Sequence, residues 1–316
     1  MPLQYMTQLI LFISMFFYSL SPLLAKDTDT QVIKATSLPL AALAKGSLPE
    51  KGLCWEISKP GQASSYLFGT IHSEDQRVLQ LSDSVRQKFD KASSLSLEIQ
   101  MGDEVIEKLA GTLFLPDSEN LILLLGKEDF KKLFQTMSQH GMLVNIAMRL
   151  KPWVAMMIVI MPKTKTGLFL DKYLQEQAKV QNKAIYSLES VEEQLAIFDS
   201  LSLDKQVRLL RATVKYLDNI PEYLENMHTL YLAQDLAGME KLSNEMMKTE
   251  DPELEALNLR LMQHMLSKRN HVMVHRMQAR LQEGNAFIAV GALHLVGKEG
   301  LISLLQQQGY QLRRID

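Results

Sequence analysis

The sequence predicts an α/β fold with a largely helical middle and C-terminal part, and three observations predict it. Two apolar-rich runs, "LCWEIS" and "SYLFGTIH", flank Lys59-Pro60-Gly61-Gln62, a turn signal that makes them a β-hairpin. Farther on, two units repeat one scheme, an amphipathic helix followed by a short strand that ends on a glutamate, first Glu98 and then Glu189. The third observation is the C-terminal stretch "NAFIAVGALHLVGKEGLISLLQQQGYQLRRID", which reads as strand, turn, helix and strand.

Taken in order, the chain opens on an apolar run from about Leu9 to Leu20, then Ser21-Pro22 and a small Ala25 before charged Lys26, the layout of a secretory signal over residues 1–25. No Lys or Arg precedes the run, and with its flank it approaches the roughly 20 apolar residues of a spanning helix, so an uncleaved anchor is the alternative. Residues 26–51, rich in Thr, Ser, Ala and Pro, read as a linker, and the domain is expected over 52–316. Within it "SDSVRQKFDKA" sets Val85 and Phe89 at helical spacing behind a Ser/Asp cap, and "SSLSLEIQM" follows as a strand. From Val105 to Met161 the pattern is helical; its apolar "WVAMMIVIM" is too short to span a membrane and reads as buried core. The second helix and strand, "GLFLDKYLQEQAKV" and "KAIYSLE", lead into Asp204 to Glu283, a Met- and Leu-rich helical region broken at Asp251-Pro252 and capped by Gly284. Phe287–Val290 is then a buried strand, Gly297 to Gly300 turn the chain, Leu301 to Gln308 form a helix, and "YQLRRI" is the last strand.

A chain of 316 residues, 47% hydrophobic, can bury a substantial core. Its net charge of −2, with no basic run or basic-aromatic stripe, argues against nucleic-acid binding. The single cysteine, Cys54, excludes an intrachain disulfide and a CxxC site, and reads as a buried spectator thiol. Export without disulfides suits a bacterial periplasm. The expected location is therefore periplasmic or secreted, with membrane contact only through an uncleaved leader. "GKEG" lacks the spacing and the Lys-Ser/Thr ending of a P-loop, and no Gly-x-Ser-x-Gly elbow occurs.

The hairpin's second strand ends in Gly69-Thr70-Ile71-His72, and Gly291-Ala292-Leu293-His294 repeats that Gly-x-x-His arrangement near the C-terminus. Between and beyond them stand Glu98, Lys151-Pro152-Trp153, Gly167 with Asp171, Leu188-Glu189 with Gln194, Arg269-Asn270, and Gly297 with Gly300. As an ordered set these resemble the TraB/GumN family, which is related to the Tiki metalloproteases, from about Leu53 to Ile315. The resemblance implies a central mixed sheet flanked by helices. It further implies, for Tiki-like members, divalent-metal proteases whose Gly-x-x-His histidines and a glutamate form the centre. TraB-like members are associated with shutting down a peptide pheromone, and GumN-like members are mostly without an assigned reaction.

Two neutral imidazoles and a carboxylate suffice to hold a catalytic divalent metal and leave a position for its water, so His72, His294 and Glu98 are the candidate ligands, with manganese, cobalt and zinc all open. For either histidine alone, a hydrogen-bonded structural residue is the alternative. Glu189 is a candidate fourth ligand or general base, against a helix-terminal carboxylate in front of "SVEEQLAIF". Arg269 is a candidate for polarising a substrate carbonyl or gripping a terminal carboxylate, against a surface arginine in a first helical turn. The two histidines are expected to face one cleft, with Glu98 beside them and Glu189 and Arg269 at its rim. The expected activity is metal-dependent hydrolysis of peptide or amide-like bonds in a peptide or small-molecule substrate; the alternative is a peptide-binding or sequestering protein that uses the same cleft without turnover. His271 and His275 stand four apart in "HVMVH", but the residue after the first is Val rather than the Glu of a zinc-protease helix. His140, His228 and His264 read as structural.

Overall fold

The computed structural model describes residues 51–100, 112–162 and 166–315. The expected signal peptide, the expected linker up to residue 50, and residues 105–111 of the middle region lie outside the described residues.

The Pro-Gly turn joins β1 (Cys54–Ser58) to β2 (Ser65–Thr70), which pair antiparallel with Cys54 opposite Phe68. Gly61 takes φ 81°, a backbone region that favours glycine. Helix α1 (Asp83–Lys91) starts where the Ser82 side chain accepts from the Val85 N–H and buries Val85 and Phe89, delivering the chain to β3 (Ser94–Leu97). The helical middle follows with α2 (Lys127–Gln139) and α3 (Pro152–Val159). All eight residues of α3 are buried, which is why its sequence is apolar on every side instead of striped.

Helix α4 (Leu170–Val180) leads to β4 (Ala184–Ser187), and α5 (Val191–Asp199) opens on a capping box between Ser190 and Glu193. Four more helices follow, α6 (Leu203–Lys215), α7 (Ile220–Leu232), α8 (Leu236–Met247) and α9 (Pro252–Met262), the last capped by Asp251. A π-helical stretch, Gln263–Lys268, carries α9 directly into α10 (Arg269–Glu283), which Gly284 ends at φ 73°. The chain closes with β5 (Ala286–Gly291), a 3-10 turn at Ala292–His294, α11 (Leu301–Gln307) and β6 (Gln311–Arg314).

The strands form one mixed sheet in the order β4-β3-β5-β2-β1-β6. β4, β3, β5 and β2 run parallel, whereas β1 is antiparallel to both its neighbours. β5 lies between β3 and β2 and every residue in it is buried, which explains its unbroken apolar run. One hydrophobic core packs on this sheet; a second surrounds α3 in the helical middle. The parallel arrangement has one consequence for function: the C-terminal ends of β2, β3, β4 and β5 share an edge, where open α/β sheets place their ligands.

Candidate functional site

Each candidate side chain is delivered to that edge by the strand before it. His72 follows β2, Glu98 follows β3, Glu189 follows β4, and His294 ends the 3-10 turn after β5. Neighbouring strands keep their pairing past the sheet, since the Glu189 N–H donates to the Glu98 carbonyl at 2.8 Å. Gly69 explains part of the first Gly-x-x-His motif. A Cβ there would lie 3.0 Å from Ala292 Cα and 3.2 Å from Leu295 Cδ2, so only glycine lets β2 approach the turn that carries His294.

Arg269, the first residue of α10, gathers the two glutamates. Its Nε donates to Glu189 Oε1 and Oε2 at 2.9 Å each, its Nη2 donates to Glu98 Oε2 at 2.6 Å and Glu189 Oε2 at 2.5 Å, and its Nη1 donates to the Met265 carbonyl at 3.1 Å. Glu189 and Arg269 are 6% and 5% exposed. They lie beneath the cleft rather than at its rim, and Arg269 is not a surface arginine. The reason is electrostatic: two buried carboxylates need a compensating charge, and a guanidinium fork meets both at once. Turned onto the glutamates, the fork does not face a substrate as expected. One guanidinium against two carboxylates leaves an excess negative charge in the interior.

Burial by itself would raise the Glu98 carboxyl. The charge of Arg269 outweighs it, helped by His294, the Gly291 N–H at 2.7 Å and His72, and holds the group down at about 2. His294 is pushed the other way from a charged state: burial lowers it to about 3, with Glu98 opposing and Arg269 reinforcing. It is therefore neutral at pH 7, and Arg269 is the cation that acts on Glu98 there. The tautomer of His294 follows from its neighbour. Asn270 Nδ2 donates to the carbonyls of Glu299 (2.7 Å) and His294 (3.4 Å), so Oδ1 faces His294 Nδ1 at 2.6 Å and that nitrogen carries the hydrogen. His294 Nε2 then presents a lone pair toward Glu98 Oε1 at 3.6 Å.

His72 has a carboxylate as its neighbour. Its Nδ1 lies 3.1 Å from Asp171 Oδ2, and Asp171 Oδ1 accepts from Thr70 Oγ1 at 2.8 Å. The ring also meets Phe169 edge-on at 5.2 Å. With Glu98, Asp171, Lys172 and Gln194, these two side chains line a cavity of about 20 Å³, room for about one water or ion. His72 and Glu98 thus share a cleft, but His294, fully buried, is not part of its lining and reaches Glu98 from the interior, so the two histidines do not face one cleft as expected.

Among the described residues no three His, Cys, Asp or Glu side chains close on one point as a ready-made metal site. The pair His294 Nε2 and Glu98 Oε1 does fit one ion, because two atoms each about 2.1 Å from it lie at most about 4.2 Å apart. A nitrogen whose ring partner is held by an amide or carboxylate oxygen is also the usual form of a liganding histidine.

Asp171, Asn270, Gln194 and Thr70 stood in the sequence motifs without a role. Asn270 sets His294, Asp171 stands beside His72, and Gln194 Nε2 donates to Glu189 Oε2 at 3.1 Å and Glu98 Oε2 at 3.5 Å. The available signal was their place beside the titratable motif residues, Asn270 next to Arg269 and Gln194 just after Glu189. Lys151 and Trp153 instead converge on Asp199 Oδ1, at 2.5 and 3.1 Å, and fasten α3 to the end of α5. His271 and His275 sit on the exposed face of α10, with His271 Nε2 3.4 Å from Glu299 Oε2.

Fold and site together define an α/β protein whose candidate centre is gathered from four parallel strand ends. The TraB/PrgY/gumN family profile matches residues 53–314, and the chain belongs to this family. It is similar to an uncharacterized protein of Treponema pallidum (strain Nichols), 24% identical over 289 residues covering 84% of this chain and 85% of the relative. It is also similar to two Danio rerio proteins, Metalloprotease TIKI2 and Metalloprotease TIKI1, each 25% identical over 82% of this chain. The chain spans 60% and 62% of the length of those two relatives. No solved structure is a significant match. Among the described residues no helix is long and apolar enough to cross a membrane.

Proposed function

We propose that this protein is an exported, metal-dependent hydrolase of peptide or amide-like bonds, working at the shared strand edge. The observation that carries the reading is the neutral His294 Nε2 facing Glu98 Oε1 inside a cluster of excess negative charge, an arrangement that favours a cation between them. The names of the Tiki relatives agree with it. Export, to the periplasm or outside the cell, is supported by the apolar leader and by the single cysteine.

A bound divalent ion would supply Lewis acidity and a water of lowered pKa. Glu98 suits a ligand better than a general base, because a carboxyl held at about 2 stays ionised and accepts protons poorly. His294 would be the second ligand, and His72, which lines the cleft beside Glu98, would have to move inward to become the third. Glu189 and Arg269 act through Glu98 by fixing its orientation and charge, in place of the substrate contacts expected of Arg269.

The test is hydrolysis of a mixed peptide library by the purified protein, with and without a chelator and after manganese, cobalt or zinc is restored. Chelator-sensitive cleavage supports the reading, and no cleavage under any metal refutes it. One observation favours peptide binding without turnover, at a neighbouring cavity instead of the cleft itself. A larger cavity of about 270 Å³, bordered by Glu240, Asn244, Leu266, Asn270, Val296 and Glu299, adjoins the His294 turn and has room for a ligand side chain. Peptide retention without cleavage would decide for it.

A further inference from the structure

Gln194 stands in the first turns of α5, 1% exposed, and lines the cleft with His72 and Glu98. Its amide orientation is settled by its neighbours. Nε2 faces Glu189 Oε2 and Glu98 Oε2, and the reverse orientation would set an oxygen against two carboxylate oxygens. Oε1 is therefore turned away from both glutamates. Among the described residues no donor reaches it, and buried amide oxygens without a donor are uncommon in folded proteins. The cavity of about 20 Å³ that Gln194 lines has room for about one water.

We propose that Gln194 Oε1 accepts a hydrogen bond from the water that attacks the scissile carbonyl, which makes Gln194 a positioning residue for hydrolysis; this rests on the hydrolase reading. In that step the water oxygen bonds to the carbonyl carbon and the C–N bond breaks. One hydrogen of the water ends on the departing amine, and the other remains in the new carboxyl group. A side chain that only buttressed Glu98 and Glu189 would act through Nε2 alone. The oxygen is what separates the two roles.

The experiment pairs a crystal structure of the parent protein, at a resolution that orders waters, with kinetics of Gln194→Met and Gln194→Lys. The expected structure has a water within about 3.2 Å of Oε1. Gln194→Met, similar in shape but without the acceptor, should lower kcat about 10- to 100-fold with KM changed less than about threefold, as expected for a misplaced reactant. Gln194→Lys keeps a nitrogen donor toward Glu98 and Glu189 but lacks the acceptor, and should lose kcat as Gln194→Met does; a Gln194→Lys with the parent's kcat would assign the role to Nε2 and overturn the inference. An Oε1 with no water beside it, or an unchanged kcat in Gln194→Met, overturns the inference and leaves the hydrolase reading standing. Absence of turnover in the parent overturns both. Should Gln194→Met fail to fold, the parent structure decides.

Discussion

Replacing Arg269 by methionine removes the only cation found between Glu98 and Glu189 among the described residues, and keeps a side chain of similar length. The variant retains two buried carboxylates, 11% and 3% exposed at the side chain, with no guanidinium to offset them. Breaking a buried pair by deleting one partner costs about 3–5 kcal/mol. For a domain of this size each kcal/mol moves Tm by about 2 °C, so a fall of about 6–10 °C is expected at pH 7. The pH dependence identifies the cause. In the parent, Arg269 brings Glu98 down to about 2 against burial; without Arg269 the largest lowering influence is gone and the folded-state pKa rises from there. The parent's depressed Glu98 contributes stability that acid removes, and the variant has less of it to lose, so the gap between them narrows as pH falls from 7 toward 4. Urea denaturation followed by circular dichroism at pH 7, 5.5 and 4 measures the gap. A difference below about 1 kcal/mol at pH 7, or one that does not narrow on acidification, would refute the buried triad.

The parent should lose stability in acid in two stages. His294 and Glu98 both have folded-state pKa values below their ordinary ones, so each contribution is complete above the ordinary value and lost below it, from 6.5 toward about 3 for His294 and from 4.5 toward about 2 for Glu98. Denaturation midpoints of His294→Gln should lack the upper stage, and an identical slope between pH 6.5 and 5 would contradict this. Gly69→Ala drives a methyl group to 3.0 Å from Ala292 Cα, a backbone atom that must shift, and should cost about 1–3 kcal/mol by thermal denaturation. A variant as stable as the parent would show that β2 and the His294 turn are not held in close approach.

The parts of the fold legible in the sequence are those set by local pattern. Pro60-Gly61 marked the hairpin, the unbroken apolar run of β5 marked a central strand, and Asp251-Pro252 and Gly284 marked helix ends. The candidate residues were legible as strand-end positions, because Gly-x-x-His and a glutamate after a short apolar run are visible in one dimension. Partnership was not. Arg269 lies 171 residues from Glu98 and 80 from Glu189, and nothing in "KRNH" distinguishes a buried arginine from an exposed one. The contact of Asn270 with the His294 ring depends on how the π-helical stretch phases α10 against the turn after β5. That β5, the fifth strand in sequence, enters the sheet between β3 and β2 is a long-range choice, and it is what brings His294 against Glu98.

The central claim is that His294 and Glu98, with His72, hold one divalent ion. Anomalous diffraction from crystals grown with manganese or zinc measures this directly. The account predicts one strong peak about 2.0–2.2 Å from both His294 Nε2 and Glu98 Oε1, lost in His294→Ala and in Glu98→Gln. A peak at His271 and His275 on the outer face of α10, or a metal-loaded crystal with no peak at the strand edge, would contradict it.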